Sequence, residues 1–334
     1  MTTPLYMISA NDIKNEFGAT DAQGRVSLGA YRVSQNIGGL SNLPLDSGIP
    51  QSGMIKYQDM RNKRLNIVVN YYSSNETRPQ TARERYDANN VTVVGGFTSR
   101  PSNPAGHKVK IHVNKTISGG TGANQCALRT GSFGNTATSI DVGSNGRIYG
   151  AGGAGGAGGD NSGAGAAGGD GTHAVGVEQN TCEINILSGG IISAGYGGGG
   201  GGGGDYQRDK GEERRSSGGG GGGGAGSPVG AAGDGGEGGA NGGEGNPGTT
   251  SAGGDGGAGG SNDNQARAGE GGEGGDVNGS PTAGEGGDHS GGGGAAGSNG
   301  QAFRATMNIN QFHPNLIHNS GTVRGGTSYS VTVS

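Results

Sequence analysis

The stretch IISAGYGGGGGGGGDYQRDKGEERRSSGGGGGGG, residues 191–224, places a run of eight glycines and a run of seven on either side of one cluster of charged residues. Glycine loses more conformational freedom on folding than any other residue, so such runs are commonly disordered. If the runs are ordered, they hold the charged cluster between rigid supports. Their order or disorder decides the fold of the chain.

Glycine is concentrated in one part of this 334-residue chain. Residues 151–300 contain 63 of the 84 glycines, whereas the flanking residues have an ordinary content. Only 28% of the residues are hydrophobic and 4% are aromatic, which excludes one conventional core across the whole chain. The composition predicts one unusual segment between two more ordinary ones.

Bulk properties exclude several classes of protein. The net charge of −4, without a large basic block, argues against nucleic-acid binding. No apolar run approaches the roughly 18 residues of a membrane span, and the first residues lack the features of a secretory signal. In a chain made in a cytoplasm, Cys126 and Cys182 are expected to be small buried apolar groups rather than a disulfide.

The N-terminal part predicts short helices followed by a strand. Ser9 and Asp12 resemble a capping box, and Gly18 is placed to end that helix. VSLGAYRV predicts a second apolar turn, SGMIKYQDM a helix near 54–62 with Ser52 as a possible cap, and LNIVVNYYS a strand over 65–73. Because isolated helices this short are marginal in water, we expect the module to complete its core on a partner.

The middle of the chain alternates apolar and polar side chains, as half-buried strands do. SIDVGSNGRIYG (139–150) aligns at an offset of 44 with EINILSGGIISA (183–194). A weaker third copy, IHNSGTVRGG (317–326), aligns with the first at an offset of 175, which pairs Val142 with Ile317. Repeated strand–turn units predict rungs that stack and bury one another's apolar faces.

The glycine-rich part has a period of three, as in AGGAGGAGGD and GEGGEGGD. Polyproline II also has three residues per turn, so side chains occupy one stripe and glycines leave two faces bare for close packing. Collagen would need abundant proline and glycine only at every third residue. The pattern predicts a bundle of polyglycine II helices. Disorder is the alternative, against which strand-like sequence returns at FRATMNINQF and SYSVTVS.

Polar loops separate the glycine runs. If the runs are rods that turn back at each loop, alternate loops gather at one end. The acidic residues at third positions, such as Asp234 and Glu270, then form a solvated stripe. The loops are residues 205–217, 227–229, 246–251, 261–268, 276–283 and 288–290.

The N-terminal motifs ISANDIKNEFG, VSLGAYR and SGMIKYQDMRNKRL resemble a short module at the head of many tail and fibre proteins of tailed bacteriophages. The resemblance covers about a fifth of the chain and implies a virion attachment module. A generic small α+β cap is the other interpretation. The residues that the resemblance assigns to attachment are Ile8, Asp12, Ile13, Phe17, Ile55, Arg61 and Lys63.

The segment INILSGGIISAGYGGGGGGGG leads from a strand into a long glycine run, and with the polar loops it resembles the glycine-rich tail-fibre adhesins of T-even-like phages. That family displays receptor-binding loops on a sandwich of polyglycine helices. The residues that we assign to receptor binding on this basis are Tyr206, Arg208, Lys210, Arg214, Arg215, Asn262, Asn264, Arg267, Asn278 and His289.

The resemblance implies a virion protein of a tail fibre tip or baseplate, assembled in the host cytoplasm. Its expected partners are a bacterial outer-membrane protein or surface glycan, and other tail fibre or baseplate proteins. We expect no nucleic-acid partner and no membrane insertion. The alternative function is a structural virion component with the glycine-rich segment as a spacer or decoration.

No spacing of residues predicts an active site. Glycine-rich stretches lack the strand, Lys-Ser/Thr and helix of phosphate loops, and GGDGGAGGSND lacks the apolar residue of calcium-binding nonapeptides. His313 and His318 do not have a recognised zinc spacing. We therefore expect no enzyme activity, no cofactor and no metal.

The predicted fold class is mainly irregular and β, with a small N-terminal α+β module, stacked β-strand rungs and a polyglycine II bundle. The predicted domains are an attachment module (1–88), a β-rich connection (89–150), a glycine-rich bundle with rung-like strands at 181–194 (151–304), and closing strands (305–334).

Overall fold

The computed structural model describes most of the chain and shows a mainly β and irregular fold with few helices. The described residues are 3–31, 36–37, 40–41, 48–50, 52–92, 101–102, 104–122, 125–179, 182–209, 212–262, 266–305 and 317–328.

Two α-helices, α1 (Ala10–Phe17) and α2 (Ala82–Asp87), and two 3-10 helices, Leu28–Tyr31 and Tyr57–Met60, lie in the first part of the chain. The strands are β1 Asn36–Ile37, β2 Leu40–Ser41, β3 Asn66–Tyr71, β4 Gln80–Thr81, β5 Val91–Thr92, β6 Lys108–Val113, β7 Thr116–Ser118, β8 Cys126–Arg129, β9 Ala137–Val142, β10 Arg147–Tyr149, β11 His173–Val177, β12 Cys182–Ile186, β13 Ile191–Ser193, β14 Asp205–Asp209, β15 Glu212–Ser216, β16 Ser261–Asn262, β17 Ala266–Arg267, β18 Gln301–Ala305, β19 Ile317–Asn319, β20 Thr322–Arg324 and β21 Gly326–Ser328.

Most strands belong to three parallel sheets that the chain visits in turn. Strands β3, β6, β9, β12 and β19 form the first sheet, with β5 antiparallel at its edge. Strands β7, β10, β13 and β20 form the second, and β4, β8, β11, β18 and β21 the third. The chain therefore winds as a coil with three faces, which we call the solenoid.

Stacked aliphatic side chains fill the solenoid. Ile111, Ile140 and Ile184 are neighbours across the first sheet and are fully buried. Ile148 and Ile192 are paired across the second sheet and are also fully buried. Burial of one such side chain stabilises the fold by about 1.5–3 kcal/mol. Each coil supplies the same apolar positions, so one coil covers the apolar face of the next.

The repeat predicted at an offset of 44 is confirmed, because Ile140 pairs with Ile184 and Ile148 with Ile192. The third copy is confirmed in its second half, where Val323 pairs with Ile192. Its first half was aligned wrongly: Ile317 pairs with Ile184, not with the position of Val142. The physical reason is a turn that is two residues shorter between β19 and β20 than in the other copies.

The N-terminal module begins as predicted. Ser9 and Asp12 form a capping box on α1, and Gly18 ends the helix with a φ of 78°. The helix predicted near 54–62 is instead the short 3-10 helix Tyr57–Met60, preceded by Lys56 rather than Ser52. A single 3-10 turn is common where too few residues are available to propagate an α-helix.

Glu16 joins this module to the solenoid. Its side chain is 1% exposed; Oε1 accepts a hydrogen bond from the backbone N–H of Leu65 (2.7 Å) and lies 3.0 Å from Nδ1 of His107. Tyr31 and Phe17 are fully buried in the same core as the solenoid residues. The predicted strand at 65–73 is confirmed as β3, which pairs in parallel with β6. The proposed domain limits stay a prediction.

The glycine-rich residues enter the fold as two insertions at one corner of the solenoid. Residues 150–172 connect β10 to β11, and residues 194–300 connect β13 to β18. Both insertions leave the second sheet and return to the third, one coil apart. Together we call them the glycine domain. Its described residues form ten segments: 151–160, 163–171, 195–204, 217–226, 228–236, 242–248, 253–260, 268–275, 282–287 and 291–300.

Backbone hydrogen bonds between these segments repeat every third residue. In segment 195–204, the N–H groups of Gly198 and Gly201 donate to segment 163–171, and those of Gly199 and Gly202 donate to segment 217–226. Gly200 and Gly203 donate toward segment 282–287. The carbonyl groups of the same segment accept from three further segments, 151–160, 268–275 and 291–300. Segment 195–204 is thus bonded to six neighbours.

Segment 217–226 is also bonded to six neighbours, and the other eight segments form a ring around these two interior ones. Glycine occupies nearly every interior position because each face meets another backbone. In the ring, side chains recur mainly at every third residue and most of them face solvent. The acidic residues predicted to be solvated are exposed: Asp234, Glu237, Asp255, Glu270 and Glu273.

A β-carbon in an interior segment has no space. At Gly199 it would overlap the carbonyl oxygen of Gly272, and at Gly222 that of Gly254. Gly292, in the ring, has open space at the same atom. We expect Gly199→Ala and Gly222→Ala each to lower the free energy of unfolding by about 1–3 kcal/mol. Gly292→Ala should be neutral or slightly stabilising, because it only restricts the unfolded chain.

Thermal and denaturant unfolding of the three purified variants measures this difference. Equal unfolding midpoints for Gly199→Ala, Gly292→Ala and the unaltered chain would mean that segment 195–204 is not enclosed by its neighbours.

Candidate functional site

Five turns of the glycine domain lie at the end away from the solenoid, which we call the tip. Backbone and side-chain hydrogen bonds tie them together: Oδ1 of Asp160 accepts from the N–H of Glu237 (2.6 Å), and the hydroxyl of Ser216 donates to the carbonyl of Ala266 (3.1 Å). The turns therefore form one surface. They comprise the described residues of 160–163, 205–216, 237–241, 261–267 and 288–290.

The longest tip turn is a hairpin of β14 and β15. Its antiparallel pairing extends from Asp205 opposite Ser216 to Asp209 opposite Glu212. Asp205 and Ser216 are both fully buried, which anchors the base of the hairpin in the glycine domain. The N–H of Tyr206 also donates to the hydroxyl of Ser290 (2.9 Å).

Asp205 and His289 are joined by two polar contacts at the tip. Oδ1 of Asp205 accepts from the His289 backbone N–H (2.8 Å), and Oδ2 lies 3.0 Å from Nδ1 of its ring. Burial, the largest single effect, raises the pKa of Asp205, but the hydrogen bonds from the His289 ring and amide together lower that pKa below its usual value. The hydrogen bond to Asp205 raises the pKa of His289.

Charged residues cover the outer part of the hairpin. Arg214 pairs with Glu212 (3.1 Å), and Arg215 pairs with Glu213 (2.9 Å). The members of each pair are two residues apart and therefore lie on the same face of β15. The Arg215 guanidinium also lies 5.5 Å from the ring centroid of its cross-strand neighbour Tyr206. Exposed ion pairs contribute about 0–1 kcal/mol. These charges therefore matter more for what they can contact than for stability.

A depression lies beside the hairpin, with a volume of about 450 Å³. One wall is the 160–163 turn, and the other is formed by Tyr206 and Arg215. Asn161 adopts a φ of 47°, and its N–H donates to the hydroxyl of Ser217 (3.3 Å). The left-handed conformation, which asparagine tolerates better than most residues, reverses the chain here.

The structure brings seven of the predicted receptor-binding residues to the tip and places one elsewhere. Asn278 lies in a turn at the opposite end, where the N–H of its neighbour Val277 donates to the carbonyl of Ser251 (3.4 Å). Lys210 and Asn264 lie outside the described residues. The seven at the tip are Tyr206, Arg208, Arg214, Arg215, Asn262, Arg267 and His289.

Sequence reasoning missed two of the tip turns, 160–163 and 237–241. Neither turn contains an aromatic or basic residue, and both lie within the three-residue glycine pattern. The available signal was the pair Asp160–Asn161, since these residue types favour turns.

The residues predicted for virion attachment divide into core and surface. Ile13 and Phe17 are fully buried, and Ile8 and Ile55 are partly buried against the same core. Asp12 caps α1, where its hydrogen bonds with Ser9 lower its pKa. Arg61 is exposed and Lys63 is half-buried. Ile13 and Phe17 therefore build the module and are not available for a partner.

Exposed apolar side chains were not predicted for this module, yet they cluster in it. Among the described residues, six large hydrophobic side chains are exposed, and five of them belong to the module: Leu5, Tyr6, Met7, Met54 and Tyr57. The sixth is Val229, near the start of segment 228–236 of the glycine domain.

Within the described residues, no group of His, Cys, Asp and Glu side chains could hold a metal ion, and no helix is long and apolar enough to cross a membrane. The prediction for the cysteines is confirmed: Cys126 and Cys182 are buried and free. Burial raises the pKa of Cys126 to about 12 and also raises that of Cys182, so both are inert thiols.

Comparison with protein families identifies a matching family. The family model of the phage tail fibre adhesin Gp38 matches residues 79–328, about three quarters of the chain. This range includes most of the solenoid and the whole glycine domain. No curated protein matches the chain.

Among solved structures, the crystal structure of the gp37-gp38 adhesin tip complex of the bacteriophage S16 long tail fiber is similar at 18% sequence identity. The alignment covers 98% of this chain and 100% of that chain with a TM-score of 0.39. A similarity with this TM-score is too weak to establish a shared fold.

The contact between Asp205 and His289 makes the tip sensitive to pH. The raised pKa of His289 stabilises the fold below pH 6.5, its usual pKa, and this contribution is lost as pH rises through the raised value. The lowered pKa of Asp205 stabilises the fold above pH 3.8, and this contribution is lost as pH falls through the lowered value. We expect the hairpin to be anchored most strongly between pH 3.8 and pH 6.5, where both contributions are fully present.

NMR titration of the His289 ring measures the shift. We expect Asp205→Asn to return the pKa of His289 toward 6.5, while Glu237→Gln, which removes another tip carboxylate, leaves that pKa unchanged. A His289 pKa that is the same in the unaltered chain and in Asp205→Asn would contradict the contact.

Proposed function

This chain belongs to the phage tail fibre adhesin Gp38 family, and on that premise we propose that its tip turns bind a receptor on the bacterial surface while the glycine domain holds them in place. Membership of this family identifies the protein as a tail fibre component of the virion. Proteins of the family are adhesins, which serve host attachment and are not enzymes. The proposal concerns which residues do the binding and how they are positioned.

The main support for the proposal is that separate turns converge to form one surface. The hairpin contributes Tyr206, Arg208 and Arg215, and other turns contribute Arg267 and His289. Tyrosine and arginine are the residues that most often anchor interfaces. A spacer would not need a thirteen-residue charged insertion tied to two other turns.

We further propose that the ten glycine segments are polyglycine II helices. The three-residue repeat of the backbone hydrogen bonds supports this, as does bonding of each interior segment to six neighbours. An eight-residue segment of this helix is about 25 Å long. Such rods hold the tip turns rigid, so little conformational entropy is lost when a receptor binds. The Gly199→Ala comparison above tests this arrangement.

The N-terminal module is the proposed mount on a tail fibre or baseplate protein. Five of the six exposed large hydrophobic side chains in the described residues support this assignment, because exposed apolar groups that cluster commonly mark contact surfaces. The family match begins at residue 79, after this cluster. In the similar solved structure, gp38 is in complex with gp37.

Replacing residues 206–215 with Asn-Gly tests receptor binding. Asp205 and Ser216 are paired, so a two-residue turn can join them without disturbing the anchors. We expect the shortened protein to keep its unfolding midpoint and to lose at least about tenfold in affinity for host cells, which corresponds to 1.4 kcal/mol. The measurement is flow-cytometric binding of the fluorescently labelled full chain.

The control is Thr250→Ala with Ser280→Ala, two exposed residues in turns near the solenoid. Unchanged cell binding by the shortened protein would remove the hairpin from the receptor surface and favour the spacer function.

Substitution of the exposed apolar residues tests the mount. We expect Tyr6→Ser with Met7→Ser to weaken association with the purified fibre protein of the same phage by tenfold or more, because about 25 cal/mol is lost per Å² of apolar contact. Val229→Ser removes an exposed apolar side chain outside the module and should leave association unchanged. Equal association of both variants in analytical ultracentrifugation would rule out this surface.

A further inference from the structure

We propose that the depression beside the hairpin binds a saccharide unit of the bacterial surface. This inference rests on the proposed receptor-binding function and names the chemical class of the receptor. The depression is lined by Asp160, Asn161, Ser162, Gly163, Tyr206 and Arg215. Its volume of about 450 Å³ lies within the range of small-molecule sites, about 300–1,000 Å³.

The lining offers hydrogen-bonding groups that the described protein residues leave unused. The hydroxyls of Ser162 and Tyr206 have no partner among the described residues, nor does Oδ2 of Asp160. The Asn161 side-chain oxygen is buried and accepts no hydrogen bond from the described part of the chain, so it is not one of the groups that face a ligand. These groups combine donors, acceptors and one aromatic ring in a single depression.

A sugar matches this mixture better than other ligands. Each sugar hydroxyl both donates and accepts, so it can pair with carboxylate, amide and hydroxyl groups together. An apolar peptide anchor would leave these polar groups without partners, which is unfavourable in a contact. A phosphate would gain from Arg215 but would lie against the Asp160 carboxylate, whose charge has the same sign.

The lining residues are held in place before any ligand arrives. Oδ1 of Asp160 accepts from the N–H of Glu237 (2.6 Å), and the Asn161 N–H donates to Ser217 (3.3 Å). On the other wall, Tyr206 and Arg215 are paired across the hairpin, with the guanidinium over the ring. Fixed groups of this kind discriminate between ligands that do and do not carry a matching hydroxyl.

The test uses the full chain and soluble saccharides: delipidated oligosaccharides from lipopolysaccharide and capsule of bacteria to which the protein binds. We expect saturation-transfer NMR to detect binding, and titration to show a tenfold or greater loss for Tyr206→Phe with Ser162→Ala. That pair removes two hydroxyls and keeps the ring. Glu244→Gln, on the exposed side of the glycine domain, should bind saccharide as the unaltered chain does.

Treatment of host cells separates this inference from the proposed function. Periodate cleaves vicinal diols of surface glycans, and protease removes exposed protein. Cell binding lost after periodate and kept after protease, with saccharide binding that depends on the two hydroxyls, supports the inference.

Cell binding that survives periodate, is lost after protease and still requires the hairpin would overturn the saccharide and identify a protein receptor, leaving the proposed function intact. Saccharide binding that is equal in the double variant and the unaltered chain would place the sugar elsewhere. Cell binding that does not require the hairpin would contradict the proposed function itself.

Discussion

Backbone hydrogen bonding between glycine segments is the constraint on which the rest of the structure depends. A buried N–H or C=O without a partner is costly, and the glycine domain has almost no side chains to supply one. Each interior segment therefore needs neighbours on every face, close enough for backbone to meet backbone. Only residues without a β-carbon permit that distance, which explains the runs at 197–204 and 218–224.

The same constraint determines where the glycine domain can carry side chains that contact another molecule. Interior segments carry almost no side chains, and ring segments carry theirs mainly at every third residue, where most of them face solvent. Turns are free of this restriction, and there the glycine domain places its described basic residues and Tyr206, as in the pair of Tyr206 and Arg215. The solenoid serves as the foundation, because both insertions begin and end at one of its corners.

Much of this could be predicted from the sequence, where side chains repeat with a period. Ile140 and Ile184 revealed the stacked coils, and the period of three revealed the segments. The shorter turn before Thr322 could not be predicted, since a missing pair of residues leaves no pattern. The contact of Asp205 with His289 also escaped prediction, because it depends on which glycine segments are adjacent, and identical glycine runs do not encode their neighbours.

The six-neighbour arrangement has a consequence for how the chain folds. Segment 195–204 bonds to residues as early as Gly153 and as late as Gly300. Contacts so distant in sequence slow folding, because the entropy of closing long loops is lost before the contacts form. A ribosome must therefore release nearly the whole glycine domain before its first interior segment is enclosed. We therefore expect the glycine domain to fold late in synthesis, because segments 151–160 and 291–300 both help to enclose segment 195–204.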